Sequence, residues 1–305
     1  MNQKILVIGS ANTDMVIKTK HFPLPGETVL GGKFMMNPGG KGANQAISAA
    51  RLGGQVTFIT KIGNDIFGRQ ALQQFLKEGV DADYVISDPD NPSGVALITV
   101  DEKGENTIVV APGANGTLHP EDVAKAEVVF KEAAIVLMQL EIPIATVQFA
   151  ANLAARYGKK VILNPAPAAP LPEELYRNVT LITPNRSEAE ALSGVAIKDL
   201  TTAEQAAQKL RAKGVAHVVI TLGTEGAFVY DGSMAKLIPA TPVVAVDTTA
   251  AGDVFNGALA VALSENLALD KAVEFANQAA AISVTRMGAQ ASAPFRKELQ
   301  GLTLK

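Results

Sequence analysis

The chain has no cysteine and no tryptophan, only three histidines, and no apolar run long enough to cross a bilayer. Without thiols it can form neither disulfides nor thiolate metal sites. His21, His119 and His217 lie far apart and none belongs to an HExxH-type pair, so structural or surface roles are expected rather than zinc binding. A membrane helix needs roughly 18 or more consecutive apolar residues. The N-terminal run Ile5-Leu6-Val7-Ile8 is short and soon meets Asn12, Thr13 and Asp14, so it reads as a first buried strand rather than a signal peptide. A cytoplasmic protein is expected. Charge of one sign is not in excess either: 27 basic against 30 acidic residues give a formal −3. That balance favours neither nucleic acid nor an anionic membrane as partner, and leaves a small charged metabolite in a local pocket.

What is present is apolar material. Of 305 residues, 48% are hydrophobic, enough for one large α/β domain or two smaller ones. Short β-rich runs alternate with helical patterns. Ile5–Ile8, Val56–Ile59, Ile135–Met138, Val161–Leu163, Leu181–Ile182, Val218–Thr221 and Val243–Val246 read as buried strands. Arg69–Glu78, Ile144–Tyr157, Glu188–Leu192 and Thr202–Lys213 read as helices, followed by two Ala-rich ones, Asp253–Leu263 and Leu269–Thr285. The fold class this predicts is α/β, a doubly wound, mostly parallel sheet covered on both faces, with its site at the carboxyl ends of the strands.

Two segments break the rhythm. Residues 13–36 contain Pro23, Pro25, Gly26 and Gly31-Gly32 and alternate weakly. Residues 93–110 read as a hairpin, Gly94–Val100 and Thr107–Val110 around the polar turn Asp101-Glu102-Lys103-Gly104. Together they predict a small antiparallel sheet appended to a single domain spanning 1–305, which could serve as a lid, pair with another subunit or be surface decoration.

Two familiar nucleotide motifs fail. A dinucleotide fingerprint G-x-G-x-x-G starting at Gly9 is broken by Ala11 and Asp14. A Walker loop through Gly40-Lys41 would need Ser or Thr where Gly42 stands and Gly where Met35 stands.

The segment Asp247-Thr248-Thr249-Ala250-Ala251-Gly252-Asp253 carries more. Small residues open a helix whose N-terminus offers unpaired amides and a positive dipole end, and Ala250, Ala251 and Gly252 let an anion approach closely. Asp253 beside such an anion hole could take a proton from an attacking hydroxyl, as phosphoryl transfer requires. Read alone, the same residues fit an Asp-capped helix equally well.

The segment Asp247–Gly257, DTTAAGDVFNG, resembles the C-terminal motif of the ribokinase-like (PfkB) carbohydrate kinases, and Gly39-Gly40-Lys41-Gly42-Ala43-Asn44-Gln45-Ala46 resembles their N-terminal motif. The resemblance runs from about Ile5 to Phe295. Most members have Gly where Ala250 stands, and Ala there suggests a position with no need of positive φ. The resemblance implies ATP-dependent phosphorylation of a sugar, with D-ribose at O5 as the expected acceptor and another sugar or a nucleoside as alternatives. A non-catalytic sugar-binding protein is the rival of another class. It further implies Asp253 as base with the Ala250–Asp253 amides as anion hole. Asn12, Asp14, Gly39, Gly40, Lys41, Asn44, Glu141 and Asp253 would hold the sugar. Asn185, Thr221, Gly223, Thr224, Gly226, Gly252 and Asn277 would lie along ATP. Asn185 and Glu188 of the N-x-x-E motif would hold Mg²⁺ through water. K⁺ as activator would sit among Asp247, Thr249, Ser283, Arg286, Gly288 and Ser292, mostly on carbonyls. A homodimer through the lid is also implied.

Overall fold

The structure, a computed structural model, describes residues 3–299. Its strands are β1 (Lys4–Ile8), β2 (Asn12–Lys18), β3 (Phe34–Gly39), β4 (Gln55–Gly63), β5 (Val85–Asp88), β6 (Gly94–Val100), β7 (Asn106–Ala111), β8 (Ala133–Met138), β9 (Lys160–Leu163), β10 (Leu181–Ile182), β11 (His217–Thr221), β12 (Ala227–Tyr230) and β13 (Ala235–Ile238). Nine form one sheet in the order β13-β12-β11-β10-β9-β8-β1-β4-β5. All neighbours from β11 to β5 pair in parallel, and only the β11–β12 and β12–β13 pairs are antiparallel.

Strand β1 shows why the sheet is covered on both faces. Its residues alternate between two cores: Leu6 and Ile8 pack with the helix Ile144–Arg156, while Ile5 and Val7 pack with the helices Lys41–Arg51 and Ala251–Ser264. All four side chains are fully buried, and each such burial stabilises by roughly 1.5–3 kcal/mol. The chain leaves β1 toward β4 on one side and β8 on the other. That reversal opens a crevice at the strands' carboxyl ends, where ligands bind in such sheets.

A second sheet, in the order β3-β2-β6-β7, begins just past the carboxyl end of β1 and leads through β3 into the helix Lys41–Arg51. Its outer pairs, β2–β3 and β6–β7, are antiparallel as the hairpin pattern predicts, and the central pair β2–β6 is parallel. The first contribution to this sheet closes with Phe34–Gly39; residues 19–33 form no strand. Phe34, Met36, Leu97, Ile108 and Val109 are all more than half exposed on it. Among the described residues no helix is long and apolar enough to cross a membrane.

The expected strand Val243–Val246 does not form. Val244 is 86% exposed, and the Val246 and Asp247 amides both donate to the Val284 carbonyl instead of a strand ladder. The valines satisfy β-propensity, but β13 already forms the sheet edge and no neighbouring strand offers them a partner.

Candidate active site

The residues expected to hold the sugar gather where β1, β2 and β3 meet the helix Lys41–Arg51. Gly39 is required there because a Cβ would fall within 2.2 Å of the Asp14 carboxylate. Gly40, at φ 87°, opens the helix in a conformation that favours glycine, and a Cβ would strike the Asn12 amide at 2.6 Å. Glu141, just past β8, accepts the Ser10 hydroxyl at 2.5 Å and the Lys41 amide at 3.0 Å, so its charge sits at the helix N-terminus. Asn12 is oriented from below. Asn115 closes on the Ala11 backbone with both ends of its carboxamide (2.9 and 3.1 Å) and donates to Asn12 Oδ1 at 2.8 Å. With its oxygen engaged, Asn12 keeps its amide nitrogen as a donor.

Asp253 lies in the first turn of the helix Ala251–Ser264 and does not cap it; its carboxylate is 5% exposed and points to the sugar side. Oδ2 accepts from Asn44 Nδ2 at 2.9 Å and Oδ1 from Gln45 Nε2 at 3.0 Å. The Ala251 amide is drawn to the Thr248 carbonyl (3.2 Å), while the helical ladder begins with Val254 on Ala250. Gly252 and Asp253 therefore supply the open amides of the first turn.

Charge is concentrated here. Burial pushes the Asp253 carboxyl up, opposed by Lys41 and the Asn44 and Gln45 hydrogen bonds. Burial works against the Lys41 ammonium as well, yet the surrounding Asp253, Glu141, Glu188 and Asp14 hold it above its ordinary value. Lys41 is thus no solvated helix-start lysine but the cation among four carboxylates. Asp14 is pushed up to about 6, first by burial and then by Glu141 and Asp253. An ionised Asp14 can only accept hydrogen bonds, which suits sugar hydroxyls, and protonation removes acceptor capacity. The sugar KM is therefore expected to be flat above pH 7 and to rise as pH falls through about 6, by up to about tenfold per unit. Asp14→Asn should abolish that dependence, and a wild-type KM unchanged down to pH 5 would contradict it.

The residues expected along the nucleotide adjoin. Thr221, Gly223, Thr224, Gly226, Gly252 and Asn277 all line one cavity of about 490 Å³. Val243 and Ala245 of the strand-less segment form part of its apolar wall. Asn277 is tied by Nδ2 to the Ile238 and Pro239 carbonyls (3.1 and 3.2 Å). Asn185 and Glu188 form a reciprocal capping box at the helix Arg186–Ser193. Asn185 N donates to Glu188 Oε2 at 2.8 Å, and burial raises the Glu188 carboxyl above its usual range, with Asp253 adding to the effect.

On the far rim, Asp247 joins two loops. Oδ1 accepts the Thr249 amide and hydroxyl (2.9 and 2.6 Å), and Oδ2 accepts the Gly288 amide at 2.8 Å. Burial opposes its ionisation, but these donors prevail and hold the carboxyl below its usual range. Ser283 and Ser292 spend their hydroxyls on the Ala280 and Ala289 carbonyls, and Arg286 pairs with Glu298. Among the described residues no group of three or more His, Asp or Glu side chains has metal-binding spacing.

Residues 2–296 match the family described as pfkB family carbohydrate kinase. The chain belongs to that family. It is 44% identical over 298 residues to a ribokinase of Haemophilus influenzae, covering 98% of this chain and 97% of that one. It is 36% identical over 291 residues to a deoxyribokinase of Salmonella typhi, covering 95% of each. Among solved structures, an Arabidopsis thaliana ribokinase complexed with ribose and ATP superimposes with a TM-score of 0.93 at 32% identity, over 99% of both chains.

The expectation that the position of Ala250 needs no positive φ is overturned. Ala250 adopts φ 59°, ψ 12°, the left-handed region. An L-residue with a Cβ there costs about 1–2 kcal/mol. The turn is imposed by the loop closure at Asp247 and by the helix start, so Ala takes the strained backbone instead of relieving it.

Several residues of the site were not singled out from sequence: Ser10, Gln45, Asn115, Gln139 and Asn164. Asn164 and Gln139 directly follow apolar strands at their carboxyl ends, a signal that the crevice rule could have used. Asn115 sits in Pro-Gly-Ala-Asn-Gly, whose composition reads as an ordinary turn.

Proposed function

We propose that this chain transfers the γ-phosphoryl group of ATP to O5 of D-ribose, giving ribose 5-phosphate and ADP. The observation that carries the reading is Asp253, a buried carboxylate in the first turn of a helix, held by Asn44 of the expected sugar set and by the adjacent Gln45 while the neighbouring Gly252 lines the nucleotide cavity. Family membership and the names of the full-length relatives support the reaction class and the acceptor.

Sugar lies between Asn12, Asp14, Gly39–Asn44 and Glu141 beneath the lid. Asp253 accepts the O5 proton as O5 bonds to the γ-phosphorus and the bond from that phosphorus to the ADP oxygen breaks. The Gly252 and Asp253 amides and Lys41 stabilise charge on the transferring group. Mg²⁺ would be held through water by Glu188 and Asn185, and would neutralise phosphate charge. The fit rests on Glu188, a buried carboxylate whose ionisation a divalent cation would favour. K⁺ would be held by carbonyls of the two loops that Asp247 ties together, with Thr249, Ser283, Arg286, Gly288 and Ser292 along the rim. The ionised Asp247 and the surrounding hard oxygen donors suit such a cation. The exposed apolar side chains of the lid fit a second copy of this chain, and the requirement for ATP fits a cytoplasmic location.

An ATP-consumption assay against pentoses, hexoses and nucleosides, with 2-deoxyribose included because of the deoxyribokinase relative, tests the proposal. Ribose should give the highest kcat/KM, and K⁺ should raise turnover. No turnover with any polyol would overturn the reading.

A further inference from the structure

Behind the carboxylate of Asp253 lies a chain of buried carboxamides whose direction is set by the main chain. Asn164, one residue past β9, donates from Nδ2 to the Thr183 carbonyl at 3.2 Å. A carbonyl only accepts, so Asn164 must turn its Oδ1 the other way. There it accepts from Gln45 Nε2 at 3.0 Å, and the same nitrogen donates to Asp253 Oδ1 at 3.0 Å. Gln45 Oε1 in turn accepts Gln139 Nε2 at 2.6 Å. Gln45 and Gln139 are completely buried. A flipped Gln45 would set its oxygen against two acceptor oxygens, so the N–H that faces Asp253 Oδ1 is fixed in place. Asn44 also donates to Oδ2, but its own Oδ1 is buried without a hydrogen-bond partner, so nothing fixes its orientation in the same way.

We infer that Gln45, oriented through Asn164, is a positioning residue that occupies Oδ1 of Asp253 and reserves Oδ2 as the atom that takes the sugar's proton. Oδ2 is the oxygen on the side of Asn44, a sugar-side residue, whereas Oδ1 faces the interior chain. The network also offsets the burial that favours a protonated carboxyl, since its donors satisfy only the charged form at Oδ1. The inference rests on the assignment of Asp253 as base in ribose phosphorylation.

The test compares Gln45→Met with Asn164→Ala, the second of which touches no atom of Asp253. Single-turnover phosphorylation of ribose is followed from pH 5 to 9, so that product release does not mask the chemical step. In both variants the rate at neutral pH should fall roughly 10- to 100-fold and the acid limb should move up by about 1 pH unit, because a donor to the carboxylate is lost or released. The KM values for ribose and ATP should stay within about twofold. If only one variant folds, its acid limb decides. An acid limb unmoved in a folded variant, or a rise in KM without a change in rate, overturns the inference. The wild-type enzyme separates this failure from that of the parent reading: absence of ribose turnover sinks the parent, whereas wild-type turnover with unmoved limbs in the variants sinks only the positioning role.

Discussion

Asp253→Asn is expected to lower kcat for sugar phosphorylation by about 10²- to 10⁴-fold, the range for loss of a positioned base. The change replaces one carboxylate oxygen by an amide nitrogen and alters the volume very little. Asn keeps one oxygen that can accept from Asn44 or Gln45, but it cannot take a proton. Its own NH₂ must then face a donor that lies 2.9 or 3.0 Å away in the wild type. One of the two buried amides loses its partner, at about 1–3 kcal/mol. The loss of a buried charge works the other way. A modest change in melting temperature should therefore accompany the large kinetic one. KM for sugar and ATP should change little, because Asp14, Glu141 and the nucleotide cavity are untouched. Residual turnover reflects the Gly252 and Asp253 backbone donors and Lys41. Steady-state kinetics at saturating ATP decide the matter: near-native turnover in the folded variant would remove Asp253 from its role.

The second large effect is expected from Lys41→Met. Lys41 is coupled electrostatically to Asp253, Glu141, Glu188 and Asp14, so its ammonium acts on both the proposed base and the proposed metal-side carboxylate. Loss of one preorganised charge donor to a transferring group costs about 10²–10³ in kcat. A second consequence has a defined sign. Lys41 favours the ionised form of Asp253, so its removal raises the carboxyl's pKa further and moves the acid limb of the rate profile to higher pH. Met preserves the unbranched stem, which separates lost charge from lost packing. A pH–rate profile with unchanged height and unchanged acid limb would show that the ammonium serves neither base nor phosphoryl group. Lys41→Arg should rescue only in part, because the planar guanidinium cannot replace a compact point charge in a site of this size.

These two residues also mark how far sequence carried the argument. Asp253 and Lys41 belong to two short motifs more than 200 residues apart, and each motif has a local explanation: an Asp near a helix start and a lysine after glycines. Their meaning depends on meeting, which the structure brings about through Asn44 and Gln45 on one helix and Asp253 on another. The N-x-x-E pair is different. The capping box of Asn185 and Glu188 is a local device, legible from spacing alone, and it is formed as spaced.

The sequence by itself determined the alternation of strands and helices, the covered parallel sheet, the hairpin over residues 93–110 and the identity of the residues at the strand ends. Each follows from periodicity, turn chemistry or side-chain type over a few neighbouring residues. Only the tertiary structure decided that Val243 and Ala245 line a cavity instead of joining a sheet, that Ala250 bears a left-handed backbone, and that Asp253 is gripped at Oδ1 and Oδ2 by separate carboxamides. A strand needs a partner, a strained φ needs a loop closure to impose it, and a hydrogen bond has a direction set by whatever lies at its other end. In this chain those partners come from segments tens to hundreds of residues away, where no local pattern records them.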